Sequence, residues 1–159
     1  QKMKIQIWSI GKQHESYIKE GVEDFTNRLT KYFTTEWKII APPKNNAALN
    51  EKDLKKEEAG IILPLIQKAD FLVLLDERGK QLSSIQLANF IELQANQSTK
   101  KIIFLIGGAF GVDDTVFKRA DTVLSLSQFV FPHMLVRLII AEQLYRACTI
   151  IKNERYHHK

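Results

Sequence analysis

The sequence predicts an α/β fold, a parallel-type sheet covered by helices on both faces. Two observations carry this. The runs Phe71–Leu75, Lys101–Ile106 and Val123–Leu126 are short, almost continuously apolar and free of strict alternation, as strands buried on both faces are. Each is followed by a turn and a stretch with helical signals, and strand-helix alternation of this kind builds parallel sheets. At 159 residues the chain is long enough to bury a core without disulfides or metal, and no Gly/Ser-rich linker, repeat or low-complexity tract divides it. One domain spanning 1–159 is expected.

In chain order, Lys4–Ile10 alternates and is rich in Ile and Trp, which predicts a strand closed by Gly11. Tyr17, Ile18, Val22, Phe25, Leu29 and Phe33 recur at steps of three and four, the signature of a helix with one buried face. Glu36–Ile40 is a short strand ended by Pro42 and Pro43. The polar stretch from Lys44 opens into a helix carrying Leu54, Ile61, Ile62, Leu65 and Ile66, and its charge run is read as a solvated face. After the strand at Phe71–Leu75, DERGKQ is expected to be a loop, with Ser83 and Ser84 as N-cap residues of a helix through about Gln94. Asp113 and Asp114 open a short helix after Lys101–Ile106 and its glycine turn, and Pro132 starts a long helix to about Lys152.

Composition narrows the function classes. The chain is 45% hydrophobic and 26% charged with net charge +5, ordinary for a globular protein and compatible with an anionic partner. The excess is spread evenly, +3 over residues 1–68 and +2 over 69–159, so no half is a basic arm. No window reaches the roughly 18 apolar residues of a membrane span, and no N-terminal apolar segment of signal-peptide type is seen. The lone Cys148 sits in an apolar helical context, where a buried structural thiol and a reducing, cytoplasmic setting are expected.

Three loops leave the carboxyl ends of apolar strands, where open parallel sheets bind ligands: LDERGK after Leu74, IGGAFG after Leu105, and LSQFVFPH after Leu124. The glycine spacing G-G-x-x-G is not that of a dinucleotide fold, and Gly79-Lys80 lacks the other parts of a P-loop. The histidines His14, His133, His157 and His158 have neither H-E-x-x-H nor cysteine pairs around them, so no metal is expected. Ser125 and Ser127 lack a nucleophile-elbow context. For the glycines a plain strand-to-helix turn stays open, and for His133 a cap or loop anchor.

Four stretches, LDERGKQLSS, FLIGGAFG, LSLSQFVFPHMLVRLIIAEQLYRA and the terminal RYHHK, together resemble the bacterial large-subunit ribosomal RNA methyltransferase family that modifies N3 of a pseudouridine, a branch of the SPOUT class. KIQIWSIGK is similar to the start of that family. The resemblance implies a deep trefoil knot within about residues 100–159, S-adenosylmethionine as methyl donor, 23S ribosomal RNA of the assembled ribosome as substrate, and a homodimer with the site near its interface. It further implies that Leu75, Gly107, Gly108, Leu126, Ser127, Gln128, Phe129, Val130 and Phe131 form the cofactor pocket. Tyr156 and His157 become candidates for proton handling or base contact, and Arg137, counted with them as a candidate catalytic residue, and Arg146 become phosphate-contacting or structural ion-pairing groups. Glu142 stands one helical turn before Arg146 and favours the pair. The doubled histidine of YHHK leaves both His157 and His158 open for the family's role. Two readings of other classes remain, a non-catalytic RNA-binding or ribosome-assembly factor and a small-molecule enzyme with a phosphate-bearing ligand. No metal and no membrane partner enter any of them.

Overall fold

The computed structural model describes residues 2–158. Five parallel strands run in the order β2-β1-β4-β3-β5. In chain order they and their helices are β1 (Lys4–Ile10), α1 (Ser16–Leu29), β2 (Thr35–Ile40), α2 (Glu51–Ile62), β3 (Phe71–Gln81), α3 (Ser84–Asn96), β4 (Lys101–Ile106), α4 (Asp114–Arg119), β5 (Thr122–Ser125) and α5 (His133–Ile151). The predicted α/β class and the parallel sheet are therefore found.

Strand side chains alternate between two cores, one on each face. Ile5, Ile7, Val73, Ile102 and Phe104 pack with Leu87 and Ile91 of α3 and Ile140 and Leu144 of α5. Trp8, Leu72, Leu74, Ile103 and Leu105 pack on the opposite face with Ala59 and Ile62 of α2 and Val116 of α4. Because both faces are buried, the central strands have no polar side to show, which is why they read as unbroken apolar runs. The helix starts follow local chemistry. Ser83 and Gln86 form a reciprocal capping box at α3, and Asn50 and Asp113 cap α2 and α4 with their side chains.

Several expectations shift. Tyr17 is 64% exposed, so it does not belong to the buried face of α1. That helix ends at Leu29, and Phe33 reaches the core from the turn beyond it. DERGKQ is not a loop. β3 continues through it to Gln81, irregular between Leu75 and Lys80, before pairing again with Leu124 and Ser125 of β5. Gly79 permits this, since a Cβ there would lie 2.6 Å from the Val123 carbonyl carbon and oxygen. Glycine inside a strand marks a close backbone approach of this kind. Pro132 serves as the N-cap of α5 rather than its first helical residue, with φ −56° and ψ 146°.

Candidate functional site: a cavity at the carboxyl end of β3, β4 and β5

The irregular stretch of β3 and the turns after β4 and β5 surround one cavity of about 740 Å³. This size is ordinary for a small-molecule site, and the position is the one expected for parallel sheets. Leu75, Ile106, Leu126 and Val136 supply apolar wall, Asp76 and Arg78 a charged edge, and Gly107 to Val112 and Phe129 to His133 the remaining sides. Of the residues predicted for the pocket, Leu75, Gly107, Gly108, Leu126, Ser127, Phe129, Val130 and Phe131 all line it. Gln128 does not. It is exposed and lies with Gln81 and Leu82 around a second, neighbouring depression.

The glycine turn is built to be tight. Gly111 N–H donates to the Gly108 carbonyl at 3.1 Å, and Gly111 holds φ +87°, a conformation other residues adopt at a cost. At Gly107 a Cβ would meet Val112 Cγ1 at 2.8 Å and the Gly111 backbone at 3.3 Å; at Gly108 it would meet the Glu58 carboxylate at 2.8 Å. The turn after β5 is braced from within. Ser125 Oγ donates to the Ser127 carbonyl at 3.0 Å, and Phe129 N–H donates to Ser127 Oγ at 2.9 Å. The two hydroxyls that interrupt this apolar region therefore hold the turn's own backbone, and Phe129 and Val130 are left 80% and 83% exposed on the cavity rim.

Charge at the edge is fixed. Burial alone would raise the Asp76 carboxyl, but the hydrogen bonds and charge of Arg78 outweigh it and hold the group below its ordinary value. The closest of these bonds, from Arg78 Nε to Asp76 Oδ1, is 2.9 Å. Glu58, behind Gly108, is pushed up by burial.

Behind the cavity runs a buried polar chain that the sequence did not disclose. His133 Nε2 meets the Gly107 carbonyl and lies 3.5 Å from Ser9 Oγ. Arg137 Nε donates to Ser9 Oγ at 3.0 Å, and its Nη1 donates to His14 Nδ1 at 3.2 Å. Burial, followed by the Arg137 charge, lowers His14; burial lowers His133 against the pull of the Gly107 carbonyl, with Arg137 adding to the lowering. A carbonyl only accepts, so neutral His133 carries its proton on Nε2. His133 is thus the loop anchor that its position suggested. Arg137 is fully buried, leaves Nη2 without a partner, and does not line the cavity. Within this chain it braces β1 and α5 from inside. The one clue in the sequence is Ser9, a hydroxyl in an otherwise apolar strand end.

The tail residues lie elsewhere. Tyr156 Oη donates to Glu142 Oε2 at 2.8 Å, and Arg146 Nη1 donates to His157 Nδ1 at 3.1 Å. Arg146 pairs with Glu142 at 2.7 Å, as the i,i+4 spacing predicted. Glu142 and Arg146, which hold Tyr156 and His157, stand about 14 Å and about 20 Å along α5 from His133 at 1.5 Å per residue. Within one chain the tail does not close the cavity. His158 is exposed, whereas His157 is placed by Arg146. Cys148 is buried, and burial pushes its thiol up to about 12, which makes it inert. No helix among the described residues is long and apolar enough to cross a membrane.

The comparisons with known proteins agree with this geometry. Residues 3–157 match the family profile described as "Predicted SPOUT methyltransferase". The chain is 46% identical over 156 residues to the ribosomal RNA large subunit methyltransferase H of Cytophaga hutchinsonii, covering 98% of this chain and 100% of that protein. It is 39% identical to the protein of the same name from Acetivibrio thermocellus, covering 98% and 99%. Among solved structures, a probable methylase family protein from Haemophilus influenzae shares the fold with a TM-score of 0.58 at 9% identity, over 99% of this chain and 71% of that one. With a full-length profile match and near-complete relatives above the identity at which families are shared, this chain belongs to the SPOUT methyltransferases, in the ribosomal RNA large subunit methyltransferase H family.

Proposed function

We propose that the protein transfers a methyl group from S-adenosylmethionine to N3 of a pseudouridine in 23S ribosomal RNA of the assembled ribosome, acting in the cytoplasm as a homodimer with a knotted C-terminal region. The observation that carries this reading is the convergence of the irregular stretch of β3 and the turns after β4 and β5 on one cavity. The cavity fits such a cofactor: apolar wall from Leu75, Ile106 and Leu126 suits an adenine ring, glycine backbone leaves room for close approach, and the Asp76 carboxylate suits a cation or ribose hydroxyls.

When bound, S-adenosylmethionine supplies an activated methyl group, so the protein's own work is alignment and proton removal. Gly107 and Gly108 bring backbone against the ligand, and His133 holds the Gly107 carbonyl in place. The tail then has a role only if it meets the cavity of another copy. Two features support this: Tyr156 and His157, beyond the end of α5, are held by Glu142 and Arg146 of that helix and do not line their own cavity, and Phe110, Phe129 and Val130 leave an apolar rim there uncovered.

Isothermal titration with S-adenosylmethionine and S-adenosylhomocysteine, followed by methyl transfer to ribosomes lacking the modification and mass mapping of the product, tests the reading. Binding of both compounds and a new methyl on a pseudouridine are expected. No binding at about millimolar concentration, a dissociation constant worth roughly 4 kcal/mol, would overturn it.

A further inference from the structure

Glu142 is the convergence point of the tail. Its side chain is 19% exposed. Oε2 accepts from Arg146 Nη2 at 2.7 Å, Arg146 Nε at 3.1 Å and Tyr156 Oη at 2.8 Å, and Oε1 accepts from Gln143 Nε2 at 2.8 Å. The Tyr156 proton therefore points into a carboxylate, which leaves the phenol oxygen's lone pairs to accept from something else. The ring is fixed in that attitude, with the Arg146 guanidinium 4.6 Å from its centroid and Tyr145 edge-on at 4.7 Å.

His157 is arranged differently. An arginine has no acceptor, so the contact from Arg146 Nη1 needs a lone pair on His157 Nδ1. In the neutral ring the proton then sits on Nε2. Such a histidine offers a donor to its surroundings, and its one basic nitrogen is already taken.

We propose that Glu142 is the terminal acceptor of the base's N3 proton, reached through the Tyr156 hydroxyl, and that His157 Nε2–H holds a carbonyl oxygen of the same base. This rests on the reading that the tail meets the methylated base. In the step, the N3–H bond breaks and leaves its electron pair on nitrogen for the new N–C bond. The Tyr156 oxygen gains that proton as its own O–H proton passes to Glu142 Oε2. One carboxylate is neutralised while the cationic methyl donor becomes a neutral thioether, so atoms and charge balance. A carboxylate is a weak base toward a resting imide, but N3 becomes strongly acidic as its bond to carbon forms, and transfer to a carboxylate is then downhill.

The charged and titratable groups around Glu142 are Arg146, Tyr156 and, through Arg146, His157. Across on α1, Arg28 lies over the Tyr145 ring at 5.5 Å, and in the turn after α1 Tyr32 donates to Glu154. Arg146 is the only one of these cations in contact with the carboxylate among the described residues.

The test uses Glu142→Gln, Tyr156→Phe and their combination in the full chain, with single-turnover methyl transfer to unmodified ribosomes, cofactor titration and thermal melting. Each single variant is expected to lose about 100-fold in rate at pH 7 while cofactor affinity holds, and the double variant to lose no more than either single one. The Glu142→Gln rate should climb with pH where the wild type is flat, as bulk base substitutes for the carboxylate. Independently of activity, spectrophotometric titration should show Tyr156 ionising at lower pH in Glu142→Gln, the assignment made by its loss in the double variant. Full rate in Glu142→Gln, multiplied losses in the double variant, or a loss equal at every pH would overturn the relay. A wild type that methylates nothing would overturn the function beneath it, and the tyrosine titration would still decide the Glu142–Tyr156 link.

Discussion

Arg137 Nε donates to Ser9 Oγ at 3.0 Å, joining the second turn of the last helix to the end of the first strand across most of the chain. Among the described residues no carboxylate pairs with the buried guanidinium; burial, opposed by the charge of Glu15, pulls it below its ordinary value. Its worth lies in satisfying Ser9 and His14 and in filling space beside Gly11, where a Cβ would stand 3.7 Å from Nη2.

Arg137→Ala should therefore destabilise by about 3–5 kcal/mol, since it leaves a void and two unpaired polar groups. Arg137→Met, close in volume and without charge to bury, should cost much less. Urea unfolding of both variants checks the order. An Ala variant no worse than Met would show that filling the space is unimportant.

The same chain of groups predicts acid sensitivity. His133 and His14 are lowered below 6.5 in the folded protein, so the unfolded chain binds more protons as pH falls. The stability they confer is present in full above about 6.5, the unfolded value, and is lost as pH drops through the folded values. Denaturation midpoints should fall between pH 7.5 and pH 5.5, and His133→Asn should flatten that slope. An equal slope in the variant would place the sensitivity elsewhere.

How far the sequence could reveal this fold follows from the range of its signals. The buried strands and the caps Ser83 and Asp113 are local, so periodicity and side-chain type disclose them. The continuation of β3 was hidden because Asp76, Glu77 and Gly79 have turn chemistry, and only the approach of Val123, 2.6 Å from where a Cβ of Gly79 would be, explains the glycine. In the site, the motif residues were legible as turns at strand ends. The Ser9–Arg137–His14 chain was not, because it joins α5 to the end of β1 and the turn after it, far away in sequence, and a buried arginine on a helix reads as a surface one. Glu142–Arg146 was legible from i,i+4 spacing, whereas the addition of Tyr156 to the pair depends on the turn that follows α5.

Gly107→Val should abolish cofactor binding. Its Cβ would meet Val112 Cγ1 at 2.8 Å and the Gly111 backbone at 3.3 Å, and the backbone of a tight turn cannot yield as a side-chain tip can. Cofactor titration paired with thermal melting separates a blocked site from a lost fold, with some destabilisation, of the order of 1–3 kcal/mol, expected in either case. Unchanged affinity in a folded variant would make the glycine turn a connection and nothing more.

Deleting Arg155–Lys159 should spare cofactor binding and remove methyl transfer. The deletion takes Tyr156 from Glu142 and His157 from Arg146, but the Glu142–Arg146 pair remains on the helix, so the fold should lose no more than about 1–2 kcal/mol. The cavity lies at the other end of α5 and keeps every one of its lining residues. A loss confined to transfer means that the tail acts when the base is held, not when the cofactor enters. Mixing the truncated chain with an excess of a Gly107→Val chain sharpens the outcome. If a tail serves the cavity of another copy, a heterodimer has one intact cavity facing one intact tail, and activity should return to a fraction of wild type. If each tail served its own cavity, both chains would stay defective in the mixture and no activity would return.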